Sequence, residues 1–283
     1  MPYAVDVSKP ARPGIRKLWL GSKLRTLRES SGVDLETVLE ETDWSRYKLS
    51  RVETAQMGVS VPDVRMLCGL YKADDVTTEK LVQLARNSRK RGWWRSYEDA
   101  LSDFFADYVE LETEASSITN YEIDLIPGLL QTGEYAKAVI EAWEPGLEQE
   151  TVARRKELRL ERQSRLEESG LTLWAIIDEA ALRRRVGSSE VMERQLDHIA
   201  AMARRPNITV QVLPFGAGAH VAQGTSFTML EFDALDPVVY VETLTSALYL
   251  EDAPEVSRYR LAVEHLRATG LDPRASIEIL NKE

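Results

Sequence analysis

Apolar side chains repeat with helical period through residues 20–56, and glycine or polar residues interrupt the repeat twice. Gly32 is suited to end a first helix, and residues 34–56 predict a second helix, a tight break and a third helix. Asp43, at the break, is a residue type that tolerates left-handed backbone geometry. The pattern therefore predicts a helix-turn-helix. Its apolar faces are Leu20, Leu24 and Leu27, then Leu35, Val38 and Leu39, then Leu49 and Val52, and its N-cap residues are Asp34 and Ser45.

The third of these helices leaves a polar face that is suited to DNA. A helix is the right width for the major groove, where each base pair presents its own pattern of donors and acceptors. Ordinary amphipathic helices with a solvated outer face are the alternative interpretation. We expect Arg46 and Arg51 to read base edges, and Tyr47, Lys48 and Ser50 to contact bases or the DNA backbone. The predicted DNA-binding residues are Ser45, Arg46, Tyr47, Lys48, Ser50 and Arg51.

The same region resembles the Cro/C1-type (XRE) class of helix-turn-helix domains, which pack five helices. Residues 20–32, LGSKLRTLRESSG, are similar to the first helix of that class, and VSVPDVRMLCGLY and TTEKLVQLARNSRKR are similar to its last two. The resemblance implies a five-helix domain over residues 17–91. Before it, the Pro, Gly and basic residues of segment 1–16 indicate a flexible arm. It also implies an ion pair between Arg28 and Glu53.

Charge is distributed unevenly between this region and the rest of the chain. Residues 1–91 contain 17 basic and 12 acidic side chains, a net +5, whereas residues 92–283 contain 19 and 34, a net −15. A basic head joined to an acidic body fits a DNA-binding domain whose larger companion does not itself bind nucleic acid.

Residues 92–283 alternate helical and extended patterns, which predicts an α+β fold with a small antiparallel or mixed sheet flanked by helices. We expect this part to be a regulatory or partner-binding domain. The densely charged third helical segment is expected to be largely exposed. The helical segments are 97–112, 132–143, 148–169, 188–204 and 254–269, and the strands begin at Leu171, Ile208, Phe227, Val238 and Ala247.

A second resemblance covers most of this region. The stretch YEIDLIPGLLQTGEYAKAVI, residues 121–140, is similar to a signature of actinobacterial regulators of the WhiJ and AbaA-like kind, also described as Scr1-type antitoxin-like regulators. Stretches beginning at Asp178, Gln211 and Val238 resemble the same family in the same order. The resemblance implies a transcription regulator, often encoded beside a small partner protein. Because the sequence shows no apolar export segment, we expect a cytoplasmic, nucleoid-associated protein.

Residues that could support catalysis are scattered. His198, His220 and His265 fall on different predicted elements, and no metal-ligand spacing or phosphate-binding glycine motif occurs. The single cysteine, Cys68, sits on an apolar helix face, where packing is expected. We therefore expect no enzyme activity, no cofactor and no metal. Four carboxylates near strand ends are the remaining candidates for a catalytic site: Asp178, Glu179, Glu231 and Glu242.

Two functions remain open at this point. The first is a transcription regulator that binds an inverted-repeat DNA operator as a homodimer, under the control of a small protein or ligand. The second is an antitoxin-like interaction protein that sequesters a small partner and regulates its own gene. No segment approaches the roughly 20 apolar residues that span a bilayer, so no membrane partner is expected.

Overall fold

The computed structural model describes residues 14–88, 92–168, 170–233 and 235–280. The chain divides into two compact units, Met1–Gly92 and Trp93–Glu283. The first helix begins at Ile15, inside the segment expected to be a flexible arm, and residues 1–13 of that segment lie outside the described residues. The domain bounds inferred from the sequence stay a prediction.

The first unit consists of five helices in its described part, and local signals account for where they start and stop. Asp34 Oδ1 accepts a hydrogen bond from the Thr37 amide at 2.8 Å, and Ser45 Oγ accepts one from Lys48 at 3.1 Å, which confirms both predicted N-caps. Asp43 has a φ of 53°, as the break requires. The helices are α1 (Ile15–Ser31), α2 (Leu35–Thr42), α3 (Arg46–Glu53), α4 (Val61–Leu70) and α5 (Asp75–Asn87).

Helix α1 crosses the end of α3 at very short range because it carries a glycine there. A Cβ added to Gly21 would lie 2.6 Å from the carbonyl oxygen of Val52 and 2.7 Å from that of Glu53. The predicted pair between Arg28 and Glu53 is confirmed seven residues further along α1. Arg28 donates from Nε at 2.7 Å and from Nη2 at 3.0 Å to the two carboxylate oxygens. Both contacts hold the C-terminal end of α3.

We predict that Gly21→Ala destabilises the first unit by roughly 1 to 3 kcal/mol, because backbone carbonyls cannot move aside as a flexible side chain can. Hydrogen exchange of the α1 and α3 amides in the full chain measures the effect. The matched control is Gly69→Ala in α4, where an added Cβ meets nothing within 4 Å. That change should stabilise the helix by about 0.5 to 1 kcal/mol. Equal effects from the two substitutions would contradict the close crossing.

The second unit is built on a six-stranded mixed sheet, within its described residues, and helices flank that sheet. The predicted α+β fold is thereby confirmed. The strands lie in the order β3-β2-β1-β4-β5-β6; β1, β2 and β3 are parallel, and the remaining pairings are antiparallel. The strands are β1 (Ser117–Glu122), β2 (Thr172–Asp178), β3 (Ile208–Leu213), β4 (Phe227–Glu231), β5 (Val238–Glu242) and β6 (Ala247–Leu250).

The α-helices of this unit differ from the predicted ones at three places. The segment expected to form a helix over residues 97–112 is instead a 3-10 helix, Trp93–Ala100, followed by the α-helix Asp103–Glu114. Two short helices, Glu179–Arg183 and Pro273–Leu280, were not predicted. The helices are α6 (Asp103–Glu114), α7 (Gly133–Trp143), α8 (Gln149–Glu168), α9 (Glu179–Arg183), α10 (Ser189–Met202), α11 (Ala253–Thr269) and α12 (Pro273–Leu280).

Successive side chains of each strand point to opposite faces of the sheet. One face packs an apolar cluster against α11 that includes Tyr121, Ile176 and Phe227. The outer edge of β3 is covered, because Leu271 donates its amide to the Val212 carbonyl at 2.9 Å and the Val212 amide donates to Ser276 Oγ at 2.9 Å. Capping of this edge prevents further strand pairing there. The opposite face of the sheet lines a cavity.

Candidate DNA-binding interface

Helix α3 and its N-cap carry the predicted DNA-binding residues away from the buried face of the helix, with Lys48 and Arg51 half-buried and the others exposed. Leu49 and Val52 are buried on the other face, at 1% and 2% exposure. Tyr47 is 69% exposed, an unusual state for a tyrosine on a folded helix, and Arg46 and Ser50 are also exposed. Ser45 stands at the N-cap, so its side chain is already engaged by the helix backbone. That the six predicted residues contact DNA stays a prediction.

Arg51 is held in place by its neighbours on the same helix. Its Nη1 donates to the Tyr47 hydroxyl at 2.8 Å, and its guanidinium carbon lies 5.3 Å from the centre of the Tyr47 ring. Lys48 is held similarly, because its Nζ lies 3.7 Å from the centre of the buried Trp44 ring. Both cations have neutral partners here, so their positive charge remains available to a phosphate or a base.

Arg46 has an acidic partner instead. Its Nη2 lies 2.5 Å from Glu36 Oε1 of α2, and both side chains are 67% exposed. An exposed pair of this kind is weak, because water solvates both charges. Arg46 must exchange Glu36 for DNA before it can read a base, and Glu36 also repels nearby phosphates.

We predict that Glu36→Gln increases affinity for duplex DNA by roughly two- to fivefold, since it removes a competitor for Arg46 and one repulsive charge. Fluorescence anisotropy at two salt concentrations measures the change, which should shrink at high salt. Glu79→Gln is the matched control, because Glu79 forms an exposed pair with Arg65 in the same unit, at 2.7 Å. An equal gain in both variants would mean that only net charge matters.

A second group of arginines, on α8, was not singled out from the sequence. The segment was expected to be largely exposed, but that expectation was wrong for one face, where Arg162 is 4% exposed and its neighbours are half-buried. The spacing of these arginines, four and then three residues, could have indicated the buried face from the sequence, because it places them on a single side of the helix. The arginines that line the cavity from this face are Arg155, Arg159 and Arg162.

Arg162 forms a buried ion pair with Glu112 of α6. Its Nε and Nη2 donate to the two carboxylate oxygens at 2.7 Å and 2.6 Å. Both side chains are almost fully buried, at 4% and 1% exposure. The aromatic rings of Phe105 and Tyr108 lie 5.1 Å and 5.3 Å from the guanidinium. This pair ties α6 to α8 on the cavity side of the sheet.

The cavity has a volume of about 870 Å³ and lies between the sheet and helices α6, α7 and α8. The sheet contributes polar groups to it, including Asn120 and Glu122 of β1. Burial raises the pKa of the Glu122 carboxyl to about 7, and the hydrogen bond from Asn120 opposes that rise only in part. The carboxyl is therefore partly neutral near physiological pH.

The four carboxylates proposed as a catalytic group from the sequence are held at separate places. Asp178 caps α9, Glu179 accepts from the Phe215 amide and pairs with Arg183, and Glu231 pairs with Arg260. Glu242 alone lines the cavity. Cys68 is fully buried in the first unit, as its apolar setting predicted.

Comparison with known families agrees with the division of the chain. Residues 19–81 match a family described as a helix-turn-helix domain, and residues 105–282 match a family described as a domain of unknown function, DUF5753. The first match supports a DNA-binding regulator rather than an enzyme. The second does not distinguish the WhiJ and AbaA-like regulators, so that finer assignment stays a prediction. No curated protein and no solved structure matches the chain.

Within the described ranges, no helix is both long enough and apolar enough to cross a bilayer.

Proposed function

Since the chain belongs to the family described as a domain of unknown function, DUF5753, and has a helix-turn-helix domain before that region, we propose that it is a sequence-specific transcription regulator. The single observation that supports this best is the face of α3, where cationic and hydrogen-bonding side chains surround an exposed tyrosine. Control comes from the second unit, through a small protein partner or a ligand.

Base reading is assigned to Arg46 and Arg51. Each guanidinium can donate two parallel hydrogen bonds to the O6 and N7 atoms of guanine, a contact worth about 1 to 3 kcal/mol of discrimination. Tyr47 positions Arg51 through the hydroxyl contact and can itself reach the backbone. Lys48 and Ser50 complete the surface with phosphate or base contacts.

We predict that Arg51→Ala relaxes preference at one operator position and weakens binding about tenfold or more, because it removes a bidentate contact. Arg46→Ala should do the same at a different position. Mobility shifts on a series of base-substituted operators measure both effects, with the operator first selected from random-sequence DNA by the unmodified protein. Arg65→Ala is the control, because it removes an exposed arginine on α4, outside the α3 face. Retention of the original base preference in both α3 variants would contradict the assignment.

The operator is an inverted repeat bound by a homodimer. One short recognition helix reads only a few base pairs, so specificity in a genome requires two half-sites, and two-fold protein symmetry then requires a palindromic operator. The helices of the second unit supply the larger surface for dimer formation.

Sedimentation analysis of the full chain, alone and with the selected operator, should therefore give a dimer that occupies two half-sites about one helical turn apart, or a multiple of that spacing. An operator with only one half-site should bind at least tenfold more weakly. A monomer that binds one half-site as tightly as the full operator would contradict this proposal.

Two kinds of control are compatible with the second unit. The resemblance in residues 121–140 supports a small protein encoded nearby, whereas the cavity supports a small molecule. Either requires a coupling free energy between the controlling site and the DNA surface. The cavity provides residues from which the chemical class of a ligand can be argued.

A further inference from the structure

Arg159 lines the cavity with only part of its hydrogen-bonding capacity engaged. Its Nη1 donates to Gln131 Oε1 at 2.7 Å. No carboxylate oxygen lies within 4.0 Å of its guanidinium among the residues that the structure describes. The flanking arginines differ, because Arg162 pairs with Glu112, and Arg155 pairs with Glu144 at 2.7 Å. A guanidinium has five N–H donors, so most of the capacity of Arg159 is unused.

The orientation of Arg159 is imposed by the protein. Gln131 is only 3% exposed, and its Nε2 donates to the Ile126 carbonyl at 2.6 Å, so its Oε1 must face Arg159. The backbone carbonyl of Gln131 in turn accepts from Gln163 Nε2 at 2.7 Å. The Gln131 amide, itself fixed by these bonds, thus holds the guanidinium in the cavity wall without neutralising it.

The interior of the cavity carries a positive charge at Arg159. Burial, together with the nearby positive charge of Arg162, lowers the pKa of Arg159 to about 10, while the carboxylates of Glu242, Glu112 and Glu122 oppose that fall, so the guanidinium remains charged at neutral pH. Glu122, on the facing strand, is partly protonated there because its own pKa is about 7. Glu112 is neutralised by Arg162, whereas Asp124 and Glu242 are exposed lining residues that form no ion pair with Arg159. An anion can therefore pair with Arg159 without displacing a carboxylate.

A second unsatisfied group lines the cavity from the sheet, on strand β1. Asn120 is 7% exposed, and its Nδ2 donates to Thr228 Oγ1 at 2.8 Å and to Glu122 Oε1 at 3.2 Å. These bonds fix the amide, so its Oδ1 faces elsewhere as a buried acceptor to which no described residue donates. A buried acceptor without a donor is costly, and a ligand N–H or O–H would remove that cost.

The mouth of the cavity includes large apolar side chains beside charged ones. Trp143 is 53% exposed and Leu244 is 75% exposed, and both line the opening together with the rings of Phe104 and Phe105. A volume of about 870 Å³ lies within the range of small-molecule sites, which is roughly 300 to 1,000 Å³. An apolar body placed here would cover side chains that are otherwise in water.

We infer that this cavity binds a small organic acid with an apolar, preferably aromatic, body and one hydrogen-bond donor. Its carboxylate pairs with Arg159, its donor bonds to Asn120 Oδ1, and its body packs against Trp143 and Leu244. The inference deepens the proposed function and rests on it only for the consequence of binding, because occupancy itself can be measured without DNA.

Isothermal titration calorimetry of the full chain with indole-3-acetate tests the site. The neutral indole-3-acetamide and the cationic tryptamine share its body, and 1-methylindole-3-acetate lacks only the N–H donor. The acid should bind at least tenfold more tightly than the amide, as expected for a charge-assisted hydrogen bond, and the methylated acid should bind several-fold more weakly. Two further acids vary the apolar part of the ligand: 4-hydroxyphenylacetate has a different ring, and the homologue indole-3-butyrate has a longer chain.

Arg159→Gln should reduce affinity for the acids at least tenfold, and Arg159→Lys should retain part of it. The matched control is Arg194→Gln, which removes an exposed arginine paired with Glu134 outside the cavity and should leave affinity unchanged. Binding of acid and amide with equal affinity, unchanged binding by Arg159→Gln, or no saturable binding of any of the four acids would each overturn the inference.

Thermal unfolding without ligand separates a binding role from a structural one. Arg159→Gln should leave the melting temperature unchanged or raise it, because it removes a buried charge that has no carboxylate partner. Arg162→Gln should lower it clearly, because Glu112 would remain buried without its partner. An equal loss in the two variants would identify Arg159 as structural and overturn the inference.

The same acid, added to the protein bound to its selected operator, tests the consequence. A change of threefold or more in operator affinity, absent in Arg159→Gln, supports control through the cavity. Intact binding of the acid with unchanged operator affinity would overturn control through this site while leaving the ligand assignment in place. Absence of acid binding in a protein that recognises its operator normally would contradict the ligand assignment and leave the proposed DNA-binding function unaffected.

Discussion

The buried pair between Glu112 and Arg162 determines how the second unit can be assembled. Removing a carboxylate and a guanidinium from water costs several kcal/mol for each ion, and only close, doubly hydrogen-bonded contact offsets that cost. The bond lengths of 2.7 Å and 2.6 Å satisfy this requirement, and they join α6 to α8 across one side of the sheet. Because α8 is fixed in rotation by this contact, the residue one turn earlier, Arg159, must face the same interior.

The first unit also depends on a bidentate pair between an arginine and a largely buried carboxylate, Arg28 and Glu53. Glu53 is 9% exposed and receives both donors of the Arg28 fork, while its carbonyl oxygen lies against Gly21. A lysine at position 28 could supply the charge but not the planar pair of donors. The C-terminal end of the recognition helix is therefore rigidly attached to α1, whereas its N-terminal residues face solvent. Rigid attachment at one end lets a short helix present side chains to DNA with a defined register.

Local chemistry made the helices of the first unit predictable, because caps and apolar periods act within a few residues. Asp34, Ser45 and the left-handed Asp43 are of this kind, and the Arg28 pair could be expected from the resemblance to a known class. The sheet in the second unit was predicted in five of its strands for the same reason. Each of those strands is a short apolar run with adjacent turn residues.

The strand that the sequence did not reveal, β1, lies at the centre of the sheet. Its residues Thr119 and Asn120 are polar and buried, which breaks the alternation that marks a strand. They are accepted in the interior because their partners come from far along the chain: Arg267 donates to Thr119, and Thr228 accepts from Asn120. The arginines of α8 were misjudged for the same physical reason. Arg155, Arg159 and Arg162 donate to acceptors that include residues 55, 28 and 50 positions away, so the local sequence pattern alone predicts a solvated face.

The type of partner distinguishes arginines that hold the fold from those free to bind something else. Arg28 and Arg162 have buried carboxylates in bidentate contact, and no incoming group can replace these without leaving an uncompensated charge. Arg51 has a tyrosine hydroxyl and Arg159 has an amide oxygen, neutral acceptors that an anion or a base edge can join or displace. Arg46 lies between these cases, because its carboxylate partner is fully solvated and an exposed pair is worth at most about 1 kcal/mol. A bidentate contact with guanine, worth about 1 to 3 kcal/mol, is therefore enough to draw Arg46 away from Glu36. The same reasoning makes Arg159 a half-buried arginine of the cavity wall that can bind a ligand without disturbing the fold.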